Sequence, residues 1–247
     1  MTSLENKIAV VTGAAGVLGE AVVRRFVAQG IKVVMSDING SHLSDLHSEL
    51  GDATMPLVFD VSDDNAASKA CEKIRENWGA PDILVNNAGI LSNNKVAETS
   101  VEEWRRVMSI NLDGAFYMSR ELLPAMKSKK WGRIINICSL AAKTGGITAG
   151  TAYTTSKGGM TALTFSLARE AAADGVTVNG ISPAYINTPM VMEQLSEAQR
   201  QELLNSIPVK RFCEGDEVAH VVSFLTSPMS GFITGEVIDI NGGLHLD

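Results

Sequence analysis

Seven short apolar runs, at residues 8–11, 31–36, 55–59, 83–85, 133–138, 176–181 and 237–240, alternate along this chain with stretches of helical pattern. Each run has strand length and β-branched content, and near-continuous apolar strands separated by helices are strands covered on both faces. The pattern predicts an α/β fold, a doubly wound parallel sheet of about seven strands with helices on both sides. Ligands in such sheets bind beyond the carboxyl ends of the strands, so chemistry is sought just after each run. No Pro/Ser-rich linker, charge block or repeat interrupts the 247 residues, which predicts a single domain over 1–247.

A net charge of −7 argues against nucleic acid or an anionic membrane as partner. Cys71, Cys138 and Cys213 are odd in number and form no C-x-x-C, so neither a disulfide framework nor a zinc site is expected. The four histidines, His42, His47, His220 and His245, lack ligand spacing, and no metal is expected. With no apolar run near the ~18 residues of a membrane span, the reading is a soluble protein of a reducing cytoplasm.

The residues after the runs carry the motifs. The first run leads into Thr12-Gly13-Ala14-Ala15-Gly16-Val17-Leu18-Gly19, with a helix expected from near Val17. Alone, a glycine cluster marks a tight turn; between a strand and a helix it lets backbone approach a pyrophosphate held at the helix N-terminus. Asp37 ends the second run, about 20 residues further on, where an acid accepts from the adenosine ribose and repels a 2′-phosphate. Its plainer role is to open a turn before Asn39-Gly40. Asp60 follows the third run and is expected at an adenine edge, while Asp63 caps the next helix. Asn86-Asn87-Ala88-Gly89 suits a loop lying against a cofactor.

Residues 101–127 read as one long helix with Trp104, Val107, Met108, Ile110, Leu112, Phe116 and Tyr117 on its apolar side. Asn111, a poor helix former inside it, either faces solvent or has a specific task. The fifth run ends at Cys138-Ser139; the Ser139 hydroxyl can donate to a carbonyl, and no G-x-S-x-G elbow makes it a nucleophile. Tyr153 and Lys157 then stand four residues apart on one face of a helix. A fixed positive charge draws a phenol below its usual ~10, making it a proton donor and acceptor. Residues 183–189 are irregular, and an amphipathic helix over 190–205 lies in a segment, about 186–212, expected to cover the substrate. Leu244-His245-Leu246, close to the last residue, bring apolar side chains suited to another subunit.

In order and spacing these motifs resemble the short-chain dehydrogenase/reductase family over almost the whole chain, with its Rossmann-type fold. The resemblance implies Tyr153 as general acid/base, Lys157 lowering its pKa and binding the nicotinamide ribose, Ser139 orienting the carbonyl and Asn111 holding a proton-relay water. It further implies NAD contacts from Gly13, Gly16, Val17, Leu18, Gly19, Asp37, Ile38, Asp60, Val61, Asn87, Ala88, Gly89, Tyr153, Lys157, Pro183, Ile186 and Thr188, and a homotetramer built on long helices. Two departures stand out: the middle glycine sits at Gly16 where the family has it at the position of Val17, and the usual Pro-Gly is Pro183-Ala184.

The reaction expected is hydride transfer between NAD(H) and a small-molecule secondary alcohol or ketone. Substrate contacts are expected from Ser92, Asn93, Asn94, Thr144, Gly145, Tyr185, Met190 and Met192. One alternative is a 3-oxoacyl-thioester reductase whose acidic carrier protein uses the basic run Lys127, Lys129, Lys130 and Arg133, although family members of that kind usually use NADPH and Asp37 speaks against it. Another, of a different class, is an NAD-binding sensor or scaffold without chemistry.

Overall fold

The structure, a computed structural model, describes residues 4–188 and 196–246. Its strands are β1 (Ile8–Thr12), β2 (Lys32–Asp37), β3 (Thr54–Val58), β4 (Ile83–Asn86), β5 (Gly132–Ile137), β6 (Val176–Pro183) and β7 (Val237–Ile240). They form one parallel sheet in the order β3-β2-β1-β4-β5-β6-β7. Chain order reverses direction beside β1, and that is where a parallel sheet opens a crevice.

Side chains alternate across each strand, so each strand feeds two cores. Ala9 and Val11 of β1 face one, with Val22, Val23 and Phe26 of α1 (Val17–Ala28) and Leu43 of α2 (Gly40–Leu50). Ile8 and Val10 face the other, with Cys71 and Ile74 of α3 (Asp64–Asn77). β3 is an edge strand, which explains how Pro56, with no N–H to donate, sits within it. The sheet is as expected; the end of β3 comes at Val58 rather than residue 59.

The long helix expected over 101–127 is two helices, α4 (Val101–Met108) and α5 (Gly114–Ser128), joined by a π turn at Ser109–Asp113. The extra residue of that turn rotates α5 against α4, so one apolar stripe does not run through both. Val107 is buried, whereas Trp104 and Phe116 stand exposed. After β5 come the short α6 (Ala141–Thr144) and the 21-residue α7 (Thr151–Ala171). Of the covering segment, α8 (Glu197–Ser206) is described; it is capped reciprocally by Ser196 and Gln199 and buries none of its residues. Met190 and Met192 lie outside the described residues. α9 (Gly215–Thr226) packs Val218 and Val222 onto the first core beside α1.

Candidate active site

The crevice is built where β1 and β4 end. Thr12 Oγ1 donates to the Val85 carbonyl (3.3 Å) and accepts from the amides of Asn87 (3.0 Å) and Ala88 (3.1 Å). Asn87 Nδ2 donates back to the carbonyls of Thr12 and Gly13, both at 3.0 Å. Gly13 has φ +64°, and a Cβ there would fall 2.8 Å from Ala88 Cα, so only glycine permits the contact. At Gly19 a Cβ would fall 2.1 Å from the Gly13 carbonyl oxygen, which is how α1 descends onto the strand end. Gly16 is the N-cap of α1 with an ordinary φ of −82° and supplies no side-chain oxygen to the first-turn amides. Those amides have no partner within the helix and point the positive end of its dipole into the crevice, a seat for phosphate. Val17, Leu18 and Gly19 line it.

Asp37 lines the same crevice and braces it: one carboxylate oxygen accepts from the Ala15 amide and the other from the Asn39 amide, each at 3.0 Å. Among the described lining residues only Asp37 and Lys157 are charged. Asn87, Ala88, Gly89, Pro183, Ile186 and Thr188 also line it.

At the far wall, Tyr153 and Lys157 lie on the first turns of α7. Lys157 is 4% exposed; its Nζ donates to the Ile137 carbonyl at 2.6 Å and sits 5.8 Å from the centre of the Tyr153 ring. Ser139, just past β5, shares a hydrogen bond with the phenol and accepts from the Ala141 amide at 3.2 Å. The Tyr153 side chain is half-buried, but its hydroxyl is packed about by protein, and loss of hydration there pushes its pKa up, with the Ser139 bond only partly opposing. Burial likewise brings Lys157 down to about 8. The expected lowering of the phenol by its neighbour is therefore absent: desolvation dominates the phenol, and the ammonium is held on a backbone carbonyl.

Asn111 is fully buried at the centre of the π turn. Its Oδ1 accepts from the Ile90 amide (2.8 Å), and its Nδ2 donates to the Ile90 carbonyl (3.0 Å) and to Ser156 Oγ (3.0 Å). Ser156 passes the bond to the Tyr153 carbonyl at 2.7 Å. A Cβ on Gly89 would come within 3.3 Å of Asn111 Oδ1 and 3.7 Å of Lys157 Nζ, so the glycine keeps the space between them open.

A second pocket opens beside Ser139 and Tyr153. Asn93, Thr144 and Tyr185 line it, with apolar walls from Leu91, Leu140, Ile147 and Leu244. Ser92 and Gly145 do not. The Ser92 hydroxyl is tied to Glu103 and its carbonyl accepts from Gly150, while Gly145 ends α6 in a left-handed turn facing solvent. Asn94 also bonds Glu103, at 2.8 Å. Leu244 lines this pocket, and Leu246 is 84% exposed. These apolar wall residues come from three separate connections, and no local pattern marks them.

Residues 13–245 match the family described as Enoyl-(Acyl carrier protein) reductase. The chain is 36% identical to the 3-oxoacyl-[acyl-carrier-protein] reductase of Haemophilus influenzae, covering 98% of this chain and 100% of that protein. With the reductase of the same name from Escherichia coli K12 it shares 37% identity over 99% of both. Its fold matches a Brucella melitensis short-chain dehydrogenase/reductase, titled glucose/ribitol dehydrogenase, with a TM-score of 0.92, 36% identity and 98% of each chain covered.

The chain belongs to the short-chain dehydrogenase/reductase family. It is accordingly an oxidoreductase acting on a CH–OH group with a nicotinamide cofactor, which sets aside the sensor reading. The crevice fits such a dinucleotide: uncapped amides at α1, a carboxylate one strand away and an open gap at Gly89. Three positions carried over from the family, Ile38, Asp60 and Val61, are not among the residues that line the crevice. Ile38 is 72% exposed; Asp60 folds back on Ser62, accepting from its amide and hydroxyl; Val61 packs on Gly114. The shifted glycine at Gly16 serves as a helix cap, leaving Val17, 41% exposed, at the first helical position.

The basic run also lies elsewhere. It precedes and opens β5, at the end of the sheet remote from Ser139. Lys127 pairs with Glu170 and Asp174, Lys129 with Asp82, and Lys130 with Asp174. Arg133 is 3% exposed, stacked 4.7 Å from the Trp131 ring centre. Each of the three lysines of this run thus already faces a carboxylate.

Proposed function

We propose that this chain reduces the ketone of 3-oxoacyl thioesters to the 3-hydroxy form, using NADH. The observation that carries it is the largely apolar pocket opening directly from Ser139 and Tyr153, which suits an acyl chain with its ketone at those hydroxyls. The names of the relatives support the same reaction. The bound dinucleotide supplies the hydride. Tyr153, whose raised pKa keeps it protonated at neutral pH, gives its proton to the ketone oxygen as negative charge develops there. Ser139 donates a hydrogen bond to that oxygen, Lys157 holds the nicotinamide ribose and Asn111 retains a water in the gap kept by Gly89. Asp37, with no cation beside it in the crevice, favours the 2′-hydroxyl of NADH over a 2′-phosphate. The same reading includes a cytoplasmic homotetramer assembled on α5 and α7, where Phe116 and Phe165 are 45% and 50% exposed.

The test is turnover of an acetoacetyl thioester of a small thiol with NADH and with NADPH, followed by absorbance of the reduced cofactor. Faster oxidation of NADH is expected, and no oxidation of either cofactor sinks the proposal. A second reading, oxidation of a free secondary alcohol by NAD, is favoured by the ion pairing of Lys127, Lys129 and Lys130, which engages the lysines an acidic carrier would use. A panel of secondary alcohols with NAD separates the two.

A further inference from the structure

The pocket beside Ser139 contains more hydroxyl groups than one ketone needs. Its polar side chains are Asn93, Ser139, Thr144, Thr148, Tyr153 and Tyr185. Ser139 and Tyr153 bond each other at the reacting end, Thr144 donates to the Leu140 carbonyl at 3.2 Å, and Asn93 has a partner of its own. Thr148 and Tyr185 remain. Their hydroxyl oxygens lie 3.2 Å apart, joining the loop between α6 and α7 to the loop after β6, and the Tyr185 ring is steadied by Phe212 at 6.3 Å between centres. Two hydroxyls carry two protons and the bond between them uses one, so the pair has one O–H left to donate.

We propose that the Thr148–Tyr185 pair receives a second carbonyl oxygen of the substrate, so that the enzyme selects compounds with two carbonyls over simple ketones. This rests on the ketone reduction proposed for the same site: the first carbonyl goes to Ser139 and Tyr153, and the second is the thioester carbonyl. The pair is exposed, so a second carbonyl exchanges a water on the spare O–H for a direct bond, a gain that a simple ketone lacks.

The experiment compares an acetoacetyl thioester with a methyl ketone of similar length in wild type, Tyr185→Phe, Thr148→Val and Thr148→Ser. Wild type should prefer the thioester. Tyr185→Phe and Thr148→Val should each raise its KM by about 5- to 10-fold with little change in kcat. They should leave the simple ketone untouched, and Thr148→Ser should behave as wild type. Neither residue lines the dinucleotide crevice, so NADH binding reports whether each variant is folded. Equal effects on both substrates, or no effect on either, overturn the inference while leaving ketone reduction standing. No turnover of any ketone by wild type overturns that reading, and this inference with it.

Discussion

Burial moves the two groups at the reacting end in opposite directions: it raises Tyr153 and brings Lys157 down to about 8, so each leans toward its neutral form. A protonated phenol is what ketone reduction requires, and Tyr153→Phe should cut turnover by about 100- to 10,000-fold while NADH binding, measured by fluorescence titration, changes little. The lysine carries a stability signature. Below about 8 both folded and unfolded chains hold its proton and the fold bears the full desolvation cost; between 8 and the ordinary 10.5 the folded chain sheds a proton that the unfolded chain keeps, so folding gains stability as pH rises. The Tm of wild type should therefore gain on that of Lys157→Met across that window, and parallel curves would refute it. Asp37 was legible from its place after the second apolar run. Its bond to the Ala15 amide was not, because that pairing depends on how the glycine turn folds back. Asp37→Ala should improve kcat/KM with NADPH relative to NADH by at least about tenfold, a change of about 1.4 kcal/mol in discrimination, read from the ratio of the two.

At the scale of elements, the strands could be read because β-branched apolar runs leave few other options, and the site followed because their ends converge. The break between α4 and α5 could not. A π turn changes hydrogen-bond register by one residue without changing the composition that a helix pattern records. Here the turn carries Asn111 inward, where it clamps both backbone groups of Ile90 and reaches α7 through Ser156. Asn111→Leu leaves the Ile90 amide and carbonyl without those partners and should lower stability by about 1–3 kcal/mol in denaturant unfolding. Asn111→Asp, which keeps the acceptor for the Ile90 amide, should lose less. If the leucine variant unfolds at the wild-type midpoint, the clamp contributes nothing. The second pocket was only partly readable for a related reason: Asn93, Thr144 and Tyr185 follow strands or helices, whereas Ile147 and Leu244 reach it through tertiary folding alone.

Across the whole molecule, charge is arranged so that the two ends of the sheet differ. β5 runs six residues from Gly132 to Ile137, so its opening end lies roughly 20 Å from the reacting groups at its close. The lysines at the opening end share Asp82, Glu170 and Asp174, with Lys7 also on Asp82, in a chain of net charge −7. Were an acidic carrier held there, it would have to break those pairs and then span the length of the sheet to deliver its acyl group. The expectation is that Lys127→Ala, Lys129→Ala and Lys130→Ala combined leave KM for a carrier-bound 3-oxoacyl substrate within about twofold of wild type, since exposed ion pairs of this kind contribute little and none of the three lines the pocket. Turnover of the small thioester should likewise vary little with ionic strength. A rise in KM confined to the carrier-bound substrate would restore this edge as its docking face. It would also mean that Asp82, Glu170 and Asp174 release their lysines when the carrier arrives.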